Sequence, residues 1–236
     1  MNFDIVNIFP TTIYVGEVEN HLNHREEFYK IYPKFDYPQV SPEIQTINTV
    51  SENQGNPLIH LEETLNPLFT EISKHVENYI HNVLKLKDIF DIVIVKSWLS
   101  RSRETTHEIP WHIHSPSQIS FVYYLNTPEN SHLLQFSNEH RGNELFKSLF
   151  QDNDKEEYLC MLKEYVEENA NIFYMVPKEG NIVIFPSKTV HSTKSISENF
   201  NDERLAIVGD IVLVLKEEYL SFSHGFITQK FWKKYG

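Results

Sequence analysis

Two histidines stand one residue apart in "PWHIHSPSQISFVYYLN" (110–126), directly ahead of an apolar, strand-like run. Side chains two apart on extended backbone project to the same side, so His112 and His114 can bring two ring nitrogens to one ion. Neutral imidazoles suit iron, zinc, copper or nickel better than magnesium or calcium. A third histidine sits in "GNIVIFPSKTVHST" (180–193), where a buried strand ends at Phe185-Pro186-Ser187 and His191 opens the next one. Arg204 then begins the apolar "RLAIVGDIVLVL", 13 residues on (204 − 191). A guanidinium there cannot shed its charge and asks for a planar anion. A bound carboxylate gripped through two parallel hydrogen bonds would serve, as would a neighbouring acid such as Asp202 or Glu203.

These segments, with "FPTTIY" (9–14), "HIHSPSQISFVYYL" (112–125) and "GNIVIFPSKTVH" (180–191), carry a resemblance over nearly the whole chain. The sequence resembles the iron(II)/2-oxoglutarate-dependent oxygenases, and within them a family of cyanophages and marine bacteria. The resemblance implies a mainly β fold with supporting helices, the double-stranded β-helix (a cupin-like jelly roll). It implies Fe(II) as cofactor, 2-oxoglutarate as cosubstrate and molecular oxygen as oxidant. His112 and His191 become iron ligands, and Arg204 the partner of the cosubstrate's distal carboxylate. Most of the superfamily places Asp or Glu two residues after the first histidine. Here that position is His114, which the resemblance makes the third ligand and which leaves the centre one negative charge short. Glu108, four residues upstream of His112, is the alternative carboxylate.

Two departures bear on the pocket. Phe121 stands where the family has glycine and is expected to fill part of the floor. Ala206 stands where a hydroxyl often follows the arginine by two, and Tyr123 and Ser120 are the candidate replacement donors. The implied reaction is hydroxylation of a small molecule or peptide side chain, with release of succinate and carbon dioxide. Two rival readings use the same residues: a three-histidine zinc hydrase or hydrolase, which leaves Arg204 without work, and a non-catalytic jelly-roll binding module, which Phe121 and the missing carboxylate at position 114 would favour.

The elements that must position these groups are legible in the pattern. Apolar residues at 65, 68, 69, 72, 76, 79, 80, 83 and 84 give one helical stripe within 61–84, with Pro67 in its first turn. Strands are expected at 8–18, 90–100, 118–126, 132–137, 171–176, 181–186, 189–196 and 204–215. A charged helical insertion is expected at 143–169 and a loop at 36–58. One domain over 1–236 accommodates them, with the strand and helix of about 8–87 buttressing the barrel.

The net charge of −12 argues against nucleic acid as partner, because phosphate binding needs a basic footprint. Cys160 is the only cysteine, so neither an internal disulfide nor a thiolate metal cluster is available. The start of the chain has no basic stretch leading into a long apolar one, and no segment is apolar enough to span a bilayer. The expectation is a soluble protein of the reducing cytoplasm, without a membrane partner.

Overall fold

The computed structural model describes residues 4, 10–35, 47–48, 58–102, 108–140, 142–145, 163–164, 166–196, 202–222 and 233. The expected loop at 36–58 and the expected insertion at 143–169 fall largely outside them, as does the tail beyond 222 apart from Lys233.

Alternation on the central strands decides the architecture. Strand β4 (Ile119–Asn126) is apolar on both sides, with Ile119, Phe121, Tyr123 and Leu125 on one and Val122 and Tyr124 on the other. Strand β9 (Arg204–Leu215) does the same with Leu205, Ile207 and Ile211 against Ala206 and Val208. A strand with two apolar faces must be covered on both. The remaining strands are β1 (Tyr14–Glu17), β2 (Ile47–Asn48), β3 (Phe90–Ser102), β5 (Leu133–Ser137), β6 (Ile172–Met175), β7 (Asn181–Pro186) and β8 (His191–Lys194). They form a six-stranded sheet in the order β1-β7-β4-β9-β3-β2 and a three-stranded sheet in the order β6-β5-β8. All of these ladders are antiparallel. The fold is the double-stranded β-helix, mainly β with supporting helices, as the sequence implied.

One face of the large sheet carries the helices α1 (His21–Ile31) and α2 (Asn66–Glu77). Helix α2 has Pro67 in its first turn, presents Leu68, Phe69, Ile72 and Val76 to the sheet, and runs on in wider turns to Val83. Tyr79 and Ile80 extend its buried stripe. Burying side chains of this size contributes roughly 1.5–3 kcal/mol each before entropy is subtracted. Helix α1 has no counterpart among the expected elements. Its sequence, HLNHREEFYKI, is largely polar, and only His24, Phe28 and Ile31 are buried, too thin a stripe to stand out from the charge around it. Among the described residues no helix is long and apolar enough to cross a membrane.

The opposite face encloses the barrel interior. Trp98, Val122, Tyr124, Val183, Phe185, Ala206 and Val208 meet Leu134 and Phe136 of the small sheet there. Phe121 is not among them. It lies on the helix side opposite Gly209, where an added Cβ would come 2.3 Å from its ring. The expectation that Phe121 fills the pocket floor is therefore corrected: the ring occupies the space that Gly209 leaves, one layer away from the interior.

Candidate metal centre

His112 and His114 lie on an extended segment leading into β4. Backbone hydrogen bonds pin that segment to the start of β8 and the turn before it: His112 N–H donates to His191 O at 3.0 Å, His191 N–H donates to His112 O at 3.1 Å, and His114 N–H donates to Ser187 O at 2.9 Å. The pairing sets His112 directly across from His191, and the period of two brings His114 to the same side. One potential ligand atom from each of the three rings lies within 4.8 Å of the others. His114 and His191 are buried, at 8% and 4% exposure.

Hydrogen bonds fix the tautomers. Nδ1 of His112 lies 2.7 Å from Pro110 O and Nδ1 of His191 lies 2.8 Å from Thr189 O. Carbonyls only accept, so both Nδ1 atoms carry the proton and donate. Nδ1 of His114 donates to the Asp210 carboxylate at 2.6 Å. In the neutral rings every Nε2 is then a lone pair, and those of His112 and His114 face each other at 3.2 Å.

Two lone pairs at that distance repel unless a proton or a cation lies between them. Burial, reinforced by the neighbouring imidazoles, pushes His112 below the usual histidine range and His191 down to about 3, so protonation of these two rings is disfavoured. The donor set fits an ion of the iron–zinc class.

Asp210 is the group the sequence analysis missed. It is 3% exposed and also accepts a hydrogen bond from Ser120 Oγ at 3.0 Å, with Lys96 Nζ 3.4 Å away. Burial works against its charge, but the bonds from His114 and Ser120 and the nearby Lys96 hold its carboxyl below the ordinary range. The signal was available. A lone acid inside RLAIVGDIVLVL needs a partner by the reasoning applied to Arg204, and Asp210 sits at the same parity six residues later.

Arg204 is 2% exposed. Its Cζ lies 5.2 Å from the ring centroid of Tyr124. Neither neighbouring acid takes it. Glu203 faces Arg101 at 3.4 Å and accepts from the Tyr32 hydroxyl, and Asp202 accepts from Asn126 Nδ2 at 3.2 Å and from Glu203 N–H. Arg204 Nε, Tyr124 Oη and Ser100 Oγ are all buried without a hydrogen-bond partner among the described residues. Ser100 and Tyr124 stand on either side of Ala206 in register, on β3 and β4. Two hydroxyls thus flank the position that lacks one. Leaving such atoms unpaired costs about 1–3 kcal/mol each, more for a charged group. The fit to an incoming carboxylate is direct: a buried guanidinium that keeps an unpaired Nε beside the Tyr124 ring, with the Ser100 hydroxyl on the same wall.

The other expected site residues fall elsewhere. Tyr123 is on the helix side, with its hydroxyl 2.6 Å from His21 Nδ1, so it does not reach the interior. Ser120 does face inward, but it bonds Ser187 at 2.8 Å and Asp210 rather than lying beside Arg204. Glu108 accepts from Ser195 N–H at 2.8 Å, lies 3.7 Å from Lys194 and is outside the histidine cluster.

Residues 96–210 match the model of a family described as "Putative 2OG-Fe(II) oxygenase", a span that contains His112, His114, His191, Arg204 and Asp210. This barrel segment is similar to that family. Solved structures agree on the fold. A prolyl hydroxylase from Trichoplax adhaerens, solved with a hypoxia inducible factor peptide fragment, is similar over 89% of this chain and 86% of its own, at 12% identity and a TM-score of 0.53. The alpha ketoglutarate dependent epimerase SnoN of nogalamycin biosynthesis is similar over 92% and 87%, at 10% identity and a TM-score of 0.54. A 2OG-Fe(II) oxygenase family oxidoreductase from Burkholderia pseudomallei is similar over 85% and 84%, at 8% identity and a TM-score of 0.52. No curated protein matches the chain. The family implies Fe(II) and 2-oxoglutarate, and the three histidines offer the iron a site.

Proposed function

We propose that the protein is a 2-oxoglutarate-dependent dioxygenase in which His112, His114 and His191 hold the iron and Arg204 receives the distal carboxylate of the cosubstrate. The observation that carries this reading is the buried, carboxylate-free wall of Arg204, Tyr124 and Ser100, on the same face of β9 as Asp210, which holds His114. A zinc hydrase would use the three imidazoles and leave that wall unexplained. A binding module that has lost its chemistry loses support too, since Phe121 lies outside the interior.

Iron, when bound, supplies the redox chemistry between oxygen, the keto acid and the target C–H bond. The chain supplies the rest. The carbonyls of Pro110 and Thr189 hold two Nδ1 protons in place, so that both Nε2 atoms stay available. Arg204 pairs with the carboxylate in a dry environment, where the charge-assisted bonds are strong. The hydroxyls of Tyr124 and Ser100 donate to the same anion. Trp98, whose ring lies 5.4 Å from that of His114, and Phe185, 4.7 Å from His191, help keep water from the centre.

The overall conversion takes a substrate C–H bond, one oxygen molecule and 2-oxoglutarate to the alcohol, succinate and carbon dioxide. The substrate class we infer is a small molecule or a peptide side chain. The whole chain acts as one unit, with β1, α1 and α2 bracing the sheet that bears Arg204. Succinate and carbon dioxide formed from 2-oxoglutarate by iron(II)-loaded protein under oxygen, and lost under nitrogen, test the proposal. Turnover of any substrate that persists under nitrogen without 2-oxoglutarate would overturn it.

A further inference from the structure

The expected metal face lacks a carboxylate, yet a buried carboxylate stands one hydrogen bond behind it. We infer that Asp210 is a positioning residue that returns the missing negative charge to the metal centre through the His114 ring. This rests on the three-histidine reading of the site.

Three observations combine. First, Asp210 Oδ1 accepts from His114 Nδ1 at 2.6 Å, which fixes the tautomer that leaves Nε2 for the ion. His112 and His191 are held by neutral carbonyls, so His114, at the position where the superfamily has its acid, is the only one of the three with an anion behind it. Second, the carboxylate is itself built in. Ser120 Oγ donates to it, and Ser187 and Ser117 continue the hydroxyl chain at 2.8 Å each. Third, burial makes an anion expensive here unless a cation is near. Lys96 lies 3.4 Å away but is 36% exposed and also covers the Trp98 ring at 4.4 Å, so it neutralises the carboxylate only partly. A carboxylate on the distal nitrogen of a ligating imidazole raises that ligand's basicity and holds its orientation.

Cobalt(II) is a suitable probe, because its visible spectrum reports the ligand set and its binding needs no oxygen. Asp210→Asn keeps an acceptor for His114 and Ser120 and removes only the charge. It is expected to weaken cobalt binding by about 10- to 100-fold, the range known for such outer partners, and to shift the bound-cobalt spectrum. Metal-free Asp210→Asn should keep a thermal midpoint near that of the wild type. Lys96→Met removes the competing cation and is expected to tighten cobalt binding several-fold. It also provides the readout should Asp210→Asn not fold.

An Asp210→Asn protein that binds cobalt within about 3-fold of wild type overturns the inference, as does a Lys96→Met protein that binds more weakly. Wild-type protein that binds no cobalt overturns the three-histidine reading itself, and this inference with it.

Discussion

Arg204→Met should separate stability from function in opposite directions. The native guanidinium is 2% exposed, and its Nε has no partner among the described residues. Burial already pulls its pKa down, with the Tyr124 hydroxyl opposing. Methionine fills similar space without charge, so the ligand-free variant should unfold at the same temperature as wild type or higher. Binding should suffer. Losing one partner of a buried, hydrogen-bonded charge pair costs about 2–5 kcal/mol, roughly 30- to 4,000-fold in affinity for 2-oxoglutarate. A ligand at 100 times its Kd stabilises the folded state by about 2.7 kcal/mol. For a chain of this size that corresponds to about 5–11 °C in thermal midpoint. Metal-loaded wild type should show that rise with 2-oxoglutarate, and Arg204→Met at the same concentration should rise by no more than about 3 °C. Equal shifts in the two proteins would refute the assignment of Arg204. A ligand-free variant many degrees less stable would show that the guanidinium has a structural partner instead.

Tyr124→Phe and Ser100→Ala each remove one hydrogen bond to a charged acceptor, about 1.5–3 kcal/mol. Each should weaken 2-oxoglutarate binding about 10- to 150-fold by calorimetry, whereas Tyr123→Phe should leave it unchanged. Glu108→Gln should bind cobalt(II) within about 3-fold of wild type, since Glu108 caps Ser195 outside the cluster; a large loss would restore it as a ligand. In metal-free protein the unfolded chain takes up protons on its histidines near pH 6.5, while folded His191 resists down to about 3. The unfolded state thus binds more protons across that window, and stability falls as pH drops, by at most about 1.4 kcal/mol per unit for each such group. Thermal midpoints of chelator-treated wild type and His191→Gln from pH 7.5 to 5 should show the shallower fall in the variant, and parallel curves would contradict it.

Strand parity explains much of what could and could not be read from the chain. The strands at 181–186 and 204–215 were bounded by their own apolar runs and turn residues, and they appear as expected. The convergence of His191 on the paired histidines could be expected from the motifs. The choice of Tyr123 over Tyr124 could have been avoided. Ser120 and Tyr123 differ by an odd number and cannot share a face of a regular strand, whereas Ser120 and Tyr124 do. Because both faces of β4 are apolar, composition gave no hint as to which one looks inward; only the packing of the helices on the Tyr123 side settles it. Ser100 lay beyond reach for another reason. Its place beside Ala206 comes from the β3–β9 register across a bulge between Ile94 and Lys96, and a one-residue slip would have turned it away.

Titration of 2-oxoglutarate into anaerobic protein, with and without iron(II), followed by calorimetry, tests the site most directly. Three imidazoles on one ion and a buried guanidinium behind it predict one equivalent bound tightly when iron is present and far weaker binding when it is absent. No binding to the iron-loaded protein, or equal binding without the metal, would contradict it.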